Sequence, residues 1–361
     1  MRIGDNITFE KKAEFSRELT QNVEDYFKRT GEKKRDHPLM FLKAAFMLAW
    51  FGGAYYLLVF TTHTWIEAIL YTLLLSFAAI GIGFNVQHDA NHGALSSRKW
   101  VNYIFGYTLD IIGGSSFFWR KSHNIAHHTY TNIQGEDDDI DFGILARMAP
   151  DQPRRRMHAY QHIYLWFLYG LIFFRWHFDF KAFKRSLLPS SNGTHINLMD
   201  RVMFWAGKII FWNLAFIIPM LYHSWWTVLA CYAFGIFSIG FVAAIIFSLA
   251  HSMNETEHPL PNPETLRIPS EWMVHQLKTT VNFSPNNPFL TFYLGGLNYQ
   301  VEHHLFHRIS HIHYPRIAPI VEKTCKKFGI RYRVNKTFWS AIHSHYLFLK
   351  RMGQSRHMTS H

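Results

Sequence analysis

Three short runs concentrate imidazole: "HDANH" at 88–92, "HNIAHH" at 123–128 and "QVEHH" at 300–304, with His307 one turn beyond the last. His88 and His92 are spaced i, i+4, as are His123 and His127, so on a helix each pair projects from one face. Two imidazoles placed in that way grip one metal ion. His128, His303, His304 and the isolated His251 bring the set to eight. The chain has 24 histidines but only two cysteines, Cys231 and Cys325, so neither a thiolate site nor a disulfide framework is expected. Eight nitrogen donors exceed the needs of one ion and imply two metals, each with an open position. Imidazole without thiolate suits borderline metals, and iron is the one expected for oxygen chemistry.

Apolar blocks must position these scattered runs. Residues 40–60 and 65–84 each carry one charge, Lys43 and Glu67, and only "TTHT" separates them; residues 203–222 and 225–249 are joined by "HS". Each block is close to the ~20 residues that cross a bilayer, and Trp and Tyr gather at the block ends, as they do at a membrane interface. The expected fold class is an all-α integral membrane protein with four transmembrane helices in two hairpins. Of the 37 Lys and Arg, all but Lys43 and Lys208 fall in 1–39, 85–202 or 250–361. Positive charge prefers the cytoplasmic side. Both termini and the middle segment are therefore expected there, forming a helical cap that holds the di-metal site of a single domain, 1–361. This accounts for the net charge of +12 with no nucleic acid as partner. The charged N-terminus does not read as a signal peptide. Segments 9–30 and 314–328 read as cap helices, and "VNYIFGYTLDIIGGSSFFW" and "IYLWFLYGLIFF" as helices at the interface or under the cap.

Other polar residues are weighed against plainer roles. His37, His63, His177, His195, His343, His345, His357 and His361 read as structural or solvated, and His158, His162, His258, His275, His311 and His313 stay open. The loop "EDDDIDFG" holds Asp137, Asp138, Asp139 and Asp141, any of which could accept an N–H from a ligand histidine, as could Asp89; a solvated loop is the plainer reading. Arg154, Arg155 and Arg156 could meet an acyl carrier's phosphates, anionic lipid or an acidic electron donor, or simply mark the cytoplasmic side.

The three boxes, alternating with paired spans, resemble the membrane fatty acid desaturase family over about residues 40 to 330. The resemblance implies a di-iron centre held by His88, His92, His123, His127, His128, His251, His303 and His304, with O2 as co-substrate and no catalytic side chain beyond the metal centre. Gln300 stands where many members have His, and this resembles the front-end subgroup (delta-5/delta-6-like, linoleoyl-CoA desaturase-like), as does "WMVHQLKTTVNF" at 272–283. Gln300, His307, Asp89 and Asp141 are candidates for the metal or for support of its ligands. Phe247 replaces an Asn that contacts metal through water in related enzymes. No His-Pro-Gly-Gly haem motif is present, so electrons are expected from a separate ferredoxin or cytochrome b5-type donor. The implied substrate is a fatty acyl chain on coenzyme A, a carrier protein or a glycerolipid in the bilayer. A hydroxylase on the same scaffold is the main rival. A metal-ion transporter is remote, because the span centres lack ionisable groups.

Overall fold

A computed structural model describes residues 7–11, 13–177, 183–184, 190–191 and 194–355. His357 and His361 lie outside the described residues, as does the side chain of His195. Among the described residues the chain is mostly helical, and strand is confined to three two-residue pairs: Thr8–Phe9 with Arg267–Ile268, Ser190–Ser191 with Thr194–His195, and Asn282–Phe283 with Val334–Asn335. Four helices are long and apolar enough to cross a membrane: Pro38–Thr61, Trp65–His92, Leu198–Met220 and Trp225–His251. This is an all-α membrane protein with its spans in two hairpins.

Two boundaries differ from expectation. The second span does not stop before the first histidine run. It passes through a π-helical turn at Gly83–Gln87 and continues to His92, so His88 and His92 ride on the span's own helix. The third span starts at Leu198 because the Asn197 side chain accepts the Asp200 N–H at 2.8 Å, a helix N-cap. That earlier start places Lys208 well inside the helix. Lys208 is buried and donates to the carbonyls of Gly113 and Gly114 at 2.5 and 3.1 Å, instead of reaching a helix end. Glu67, the one charge of the block 65–84, closes a capping box with Thr64.

The chain forms two compact units, each assembled from separated stretches. The span unit comprises Asp36–Lys121 and Phe167–Ala244. Its two hairpin turns meet: the rings of Phe60 and Tyr222 lie 4.9 Å apart, those of Trp65 and Trp226 5.4 Å apart, and His223 Nε2 donates to the Val59 carbonyl at 2.8 Å. Between its helices is an apolar cavity of about 160 Å³, lined by Phe51, Thr72, Ser76, Phe211, Tyr232 and Ile236 among others.

The helical unit comprises Met1–Arg35, Ser122–Trp166 and Ile245–His361. Phe15, Leu19, Val23 and Phe27 recur every fourth residue along the helix Glu14–Thr30 and form a buried stripe. The stripe packs on Ile317, Val321 and Cys325 of the helix Tyr314–Lys327 and on Val301 and Leu305 of the helix Gln300–Phe306. Leu19 is wholly buried. Leu19→Ala is expected to cost about 2–5 kcal/mol, read as a lower midpoint in thermal melting of the detergent-purified protein. An unchanged midpoint would show that this helix does not brace the unit.

Candidate metal centre

In the span unit His88 and His92 are buried with ring centroids 4.6 Å apart, and the Trp119 ring lies 5.5 and 5.4 Å from them. Asn91, between them in sequence, fixes the turn. Its amide nitrogen donates to Gln87 Oε1 at 3.0 Å and the Gly106 carbonyl at 3.2 Å, and its oxygen accepts from Arg120 Nη1 at 2.9 Å. A Cβ on Gly106 would sit 2.6 Å from that oxygen, so only glycine fits. Asp89 is buried, 4.0 Å from His88 Nδ1.

The helical unit carries the other six histidines. His123 and His127 stand on the wide helical turn Arg120–His127, and His128 opens the next turn. Ring nitrogens of His127, His251 and His304 all lie within 4.8 Å of one another, and so do those of His128, His303 and His304. His123 Nε2 and His128 Nε2 are 3.2 Å apart. Two imidazoles sharing one ion with metal–nitrogen bonds of about 2.1 Å take a spacing of about 3 Å.

The rings of His127, His251 and His304 are each anchored through Nδ1, which leaves Nε2 as the possible donor. His251 Nδ1 lies 3.2 Å from the Thr279 carbonyl, which can only accept, so Nδ1 carries the proton. His304 Nδ1 lies 2.8 Å from Gln276 Oε1. His304 Nε2 is buried and makes no hydrogen bond among the described residues. Burial and the neighbouring imidazoles push the His304 pKa well below the ordinary value, so the ring is neutral. A neutral, buried imidazole whose Nε2 makes no hydrogen bond, set among other imidazoles, is suited to ligate a metal ion, and the residues fit such an ion.

His127 is held differently. After Thr131 the chain turns through Asn132 at φ 60°, a left-handed conformation that Asn tolerates. The turn returns the acidic loop to the ring. Both Asp137 carboxylate oxygens lie 3.1 Å from His127 Nδ1, and they accept the N–H groups of Asn132 (2.8 Å) and Asp139 (3.0 Å). Burial alone would lower the His127 pKa, but the Asp137 and Asp139 carboxylates outweigh it and raise it to about 9. Asp139 lies 3.3 Å from the same nitrogen and is more than half exposed. Asp141 is exposed and its carboxylate accepts the Gly143 N–H at 2.9 Å, within its own turn. Gln300 is buried and its side chain hydrogen-bonds His251. His307 is half-buried, its ring 5.0 Å from that of His128.

Comparison with known proteins gives the arrangement its family. The family model for fatty acid desaturases matches residues 63–336. The chain belongs to the fatty acid desaturase family. It is 40% identical over 356 residues to the sn-1 linoleoyl-lipid 6-desaturase of Arthrospira platensis, covering 96% of this chain and 94% of that one. It is 37% identical over 365 residues to the protein of the same name from Synechocystis sp., covering 98% and 100%. The acyl-lipid (8-3)-desaturase of Physcomitrium patens is 37% identical over 341 residues, 93% of this chain and 71% of that protein.

In this desaturase the front-end-like run at 272–283 supplies anchors that residue types alone do not reveal. Gln276 meets His304. Asn282 donates to Glu302 Oε2 at 2.7 Å, and its oxygen accepts the Val301 N–H at 2.8 Å, capping the first turn of the helix Gln300–Phe306. Tyr332 donates to the other Glu302 oxygen at 2.7 Å, and the Tyr314 hydroxyl lies 3.2 Å from His303 Nδ1. The one sequence signal for these anchors is the run's likeness to the front-end subgroup. Two histidines read as structural do hold structure: His345 bonds the Ser252 carbonyl at 2.7 Å and His177 the Tyr232 hydroxyl at 2.8 Å.

Proposed function

We propose that this enzyme inserts a cis double bond by front-end regiochemistry into a lipid-bound linoleoyl chain, at the 6-position. The single observation that carries the metal-dependent part is His304: neutral, proton committed to Nδ1, Nε2 buried without a hydrogen bond, and a ring nitrogen within 4.8 Å of ring nitrogens of His127 and His251. The position and the lipid carrier rest on the names of the two cyanobacterial relatives. His88, His92, His123, His127, His128, His251, His303 and His304 hold two irons, with Gln300 positioning His251. Bound iron supplies the dioxygen chemistry that removes two hydrogens from an unactivated methylene pair, a step beyond side-chain acid–base chemistry.

The chain's own residues orient and shield. Asp137, the Thr279 carbonyl and Gln276 lock the rings of His127, His251 and His304, so the donors need little rearrangement. The cavity between the spans is apolar and holds the acyl chain away from water. Both termini and the histidines face the cytoplasm, where exposed Arg155 and Arg156 meet an acidic external electron donor of ferredoxin or cytochrome b5 type. The exposed Trp100, Ile104 and Ile163 on the short helices lie in the headgroup layer.

The test is expression in a host without its own 6-desaturase, fed linoleic acid, followed by mass spectrometry of its lipids. A product two hydrogens lighter with a new bond at carbon six is expected. A product one oxygen heavier would make the enzyme a hydroxylase, and metal uptake into proteoliposomes without lipid turnover would make it a transporter.

A further inference from the structure

We propose that Gln276 is a positioning residue that selects the metal-binding tautomer of His304 and ties the second histidine run to the third. This deepens the di-iron reading above and rests on it.

The argument starts from what each partner can do. Gln276 is fully buried on the helix Trp272–Thr279. Its side-chain nitrogen donates to the His128 main-chain carbonyl at 3.1 Å, and Trp272 Nε1 donates to the same oxygen at 3.3 Å. That carbonyl closes the last turn of His128–Tyr130, where helix geometry leaves it without an intrahelical partner. A carbonyl only accepts, so the amide cannot turn over: its NH2 must face His128 and its oxygen must face the other way. On that other side is His304 Nδ1 at 2.8 Å. An amide oxygen only accepts, so Nδ1 must be the protonated nitrogen and the lone pair falls to Nε2, which is buried without a hydrogen bond on a ring that clusters with the other histidines. The Thr131 hydroxyl lies 3.0 Å from the same amide oxygen and donates to the His127 carbonyl at 2.7 Å. One side chain thus fixes a ring of the third run by reference to the backbone of the second. Met or Leu in its place would fill the space but leave His304 free to put its proton on either nitrogen and to rotate.

The experiment uses the full chain, purified in detergent, stripped of metal and titrated with Co²⁺ followed by its visible absorption. Two equivalents are expected to bind the wild type; if the wild type binds none, the di-metal reading fails before this inference is reached. In Gln276→Met one equivalent is expected to weaken by about 10–100-fold while the other keeps its affinity. Gln276→Glu, neutral at this fully buried position, can donate its O–H to the His128 carbonyl and still accept from His304 Nδ1 at its other oxygen, and is expected to retain both. Wild-type titration of a folded Gln276→Met overturns the proposal. If that variant does not fold, Gln276→Glu decides: loss of an equivalent there, in folded protein, overturns it as well.

Discussion

His304→Ala is expected to leave the enzyme without measurable desaturation and without a full metal complement. His304 belongs to both clusters of the helical unit, with His127 and His251 on one side and His128 and His303 on the other. With Nδ1 committed to Gln276, its Nε2 can serve one ion, so its removal takes a buried donor from that ion and leaves Gln276 unmatched. Loss of a residue that merely supports a ligand costs about 10–100-fold in metal affinity or activity, and loss of the ligand itself exceeds that. His307→Ala is the control, because that ring is half-buried and stands beside the cluster, 5.0 Å from the ring of His128; less than about tenfold loss is expected there. The check is iron per chain by elemental analysis beside double-bond formation in fed cells. Full iron and full activity in His304→Ala would remove it from the ligand set.

The second large effect is expected at Asp137. Without metal its carboxylate holds His127 as an imidazolium with a pKa of about 9. Because that pKa is raised above the ordinary 6.5, the pair's stabilisation is complete below 6.5 and is lost as the pH climbs through about 9. The Asp137 pKa is lowered, although burial opposes this, by His127 and by the N–H groups of Asn132 and Asp139, so its share is present above 3.8 and fades as the pH falls. A metal must expel the His127 proton, and its affinity therefore rises with pH until about 9. Asp137→Asn removes the charge. Burial then governs His127 and the rise in affinity with pH ends earlier; near pH 9, where the proton no longer competes in the wild type either, metal binding is expected to be about 10–100-fold weaker. Co²⁺ affinity measured from about pH 6 to pH 9 reads both effects; parallel curves for variant and wild type would show that Asp137 does not govern His127.

Much of this architecture is legible in the order of the amino acids. The spans announce themselves because a bilayer demands long apolar runs, and the histidine boxes stand out because imidazole in such density has few other uses. What is not legible depends on contacts distant in sequence. Asp137 lies ten residues from His127 and is one of four aspartates in its loop; only the left-handed turn at Asn132 selects it over Asp141. Gln276 is 28 residues from His304, and no local pattern assigns an amide to an imidazole at that separation. Lys208 reads as a cation near a helix end because the cap at Asn197, which lengthens that helix, lies outside the apolar run that defines it.

The wide turn at Gly83–Gln87 sets the angular phase of the residues beyond it. A π-turn holds one more residue than an α-turn, so His88 and His92 point about 100° from where an uninterrupted helix would aim them. Deleting a single residue there would leave hydropathy, span length and every histidine intact, yet would swing the pair to another side of the helix. The aim of the first two imidazoles is thus written in the backbone count of five residues that carry no metal-binding side chain.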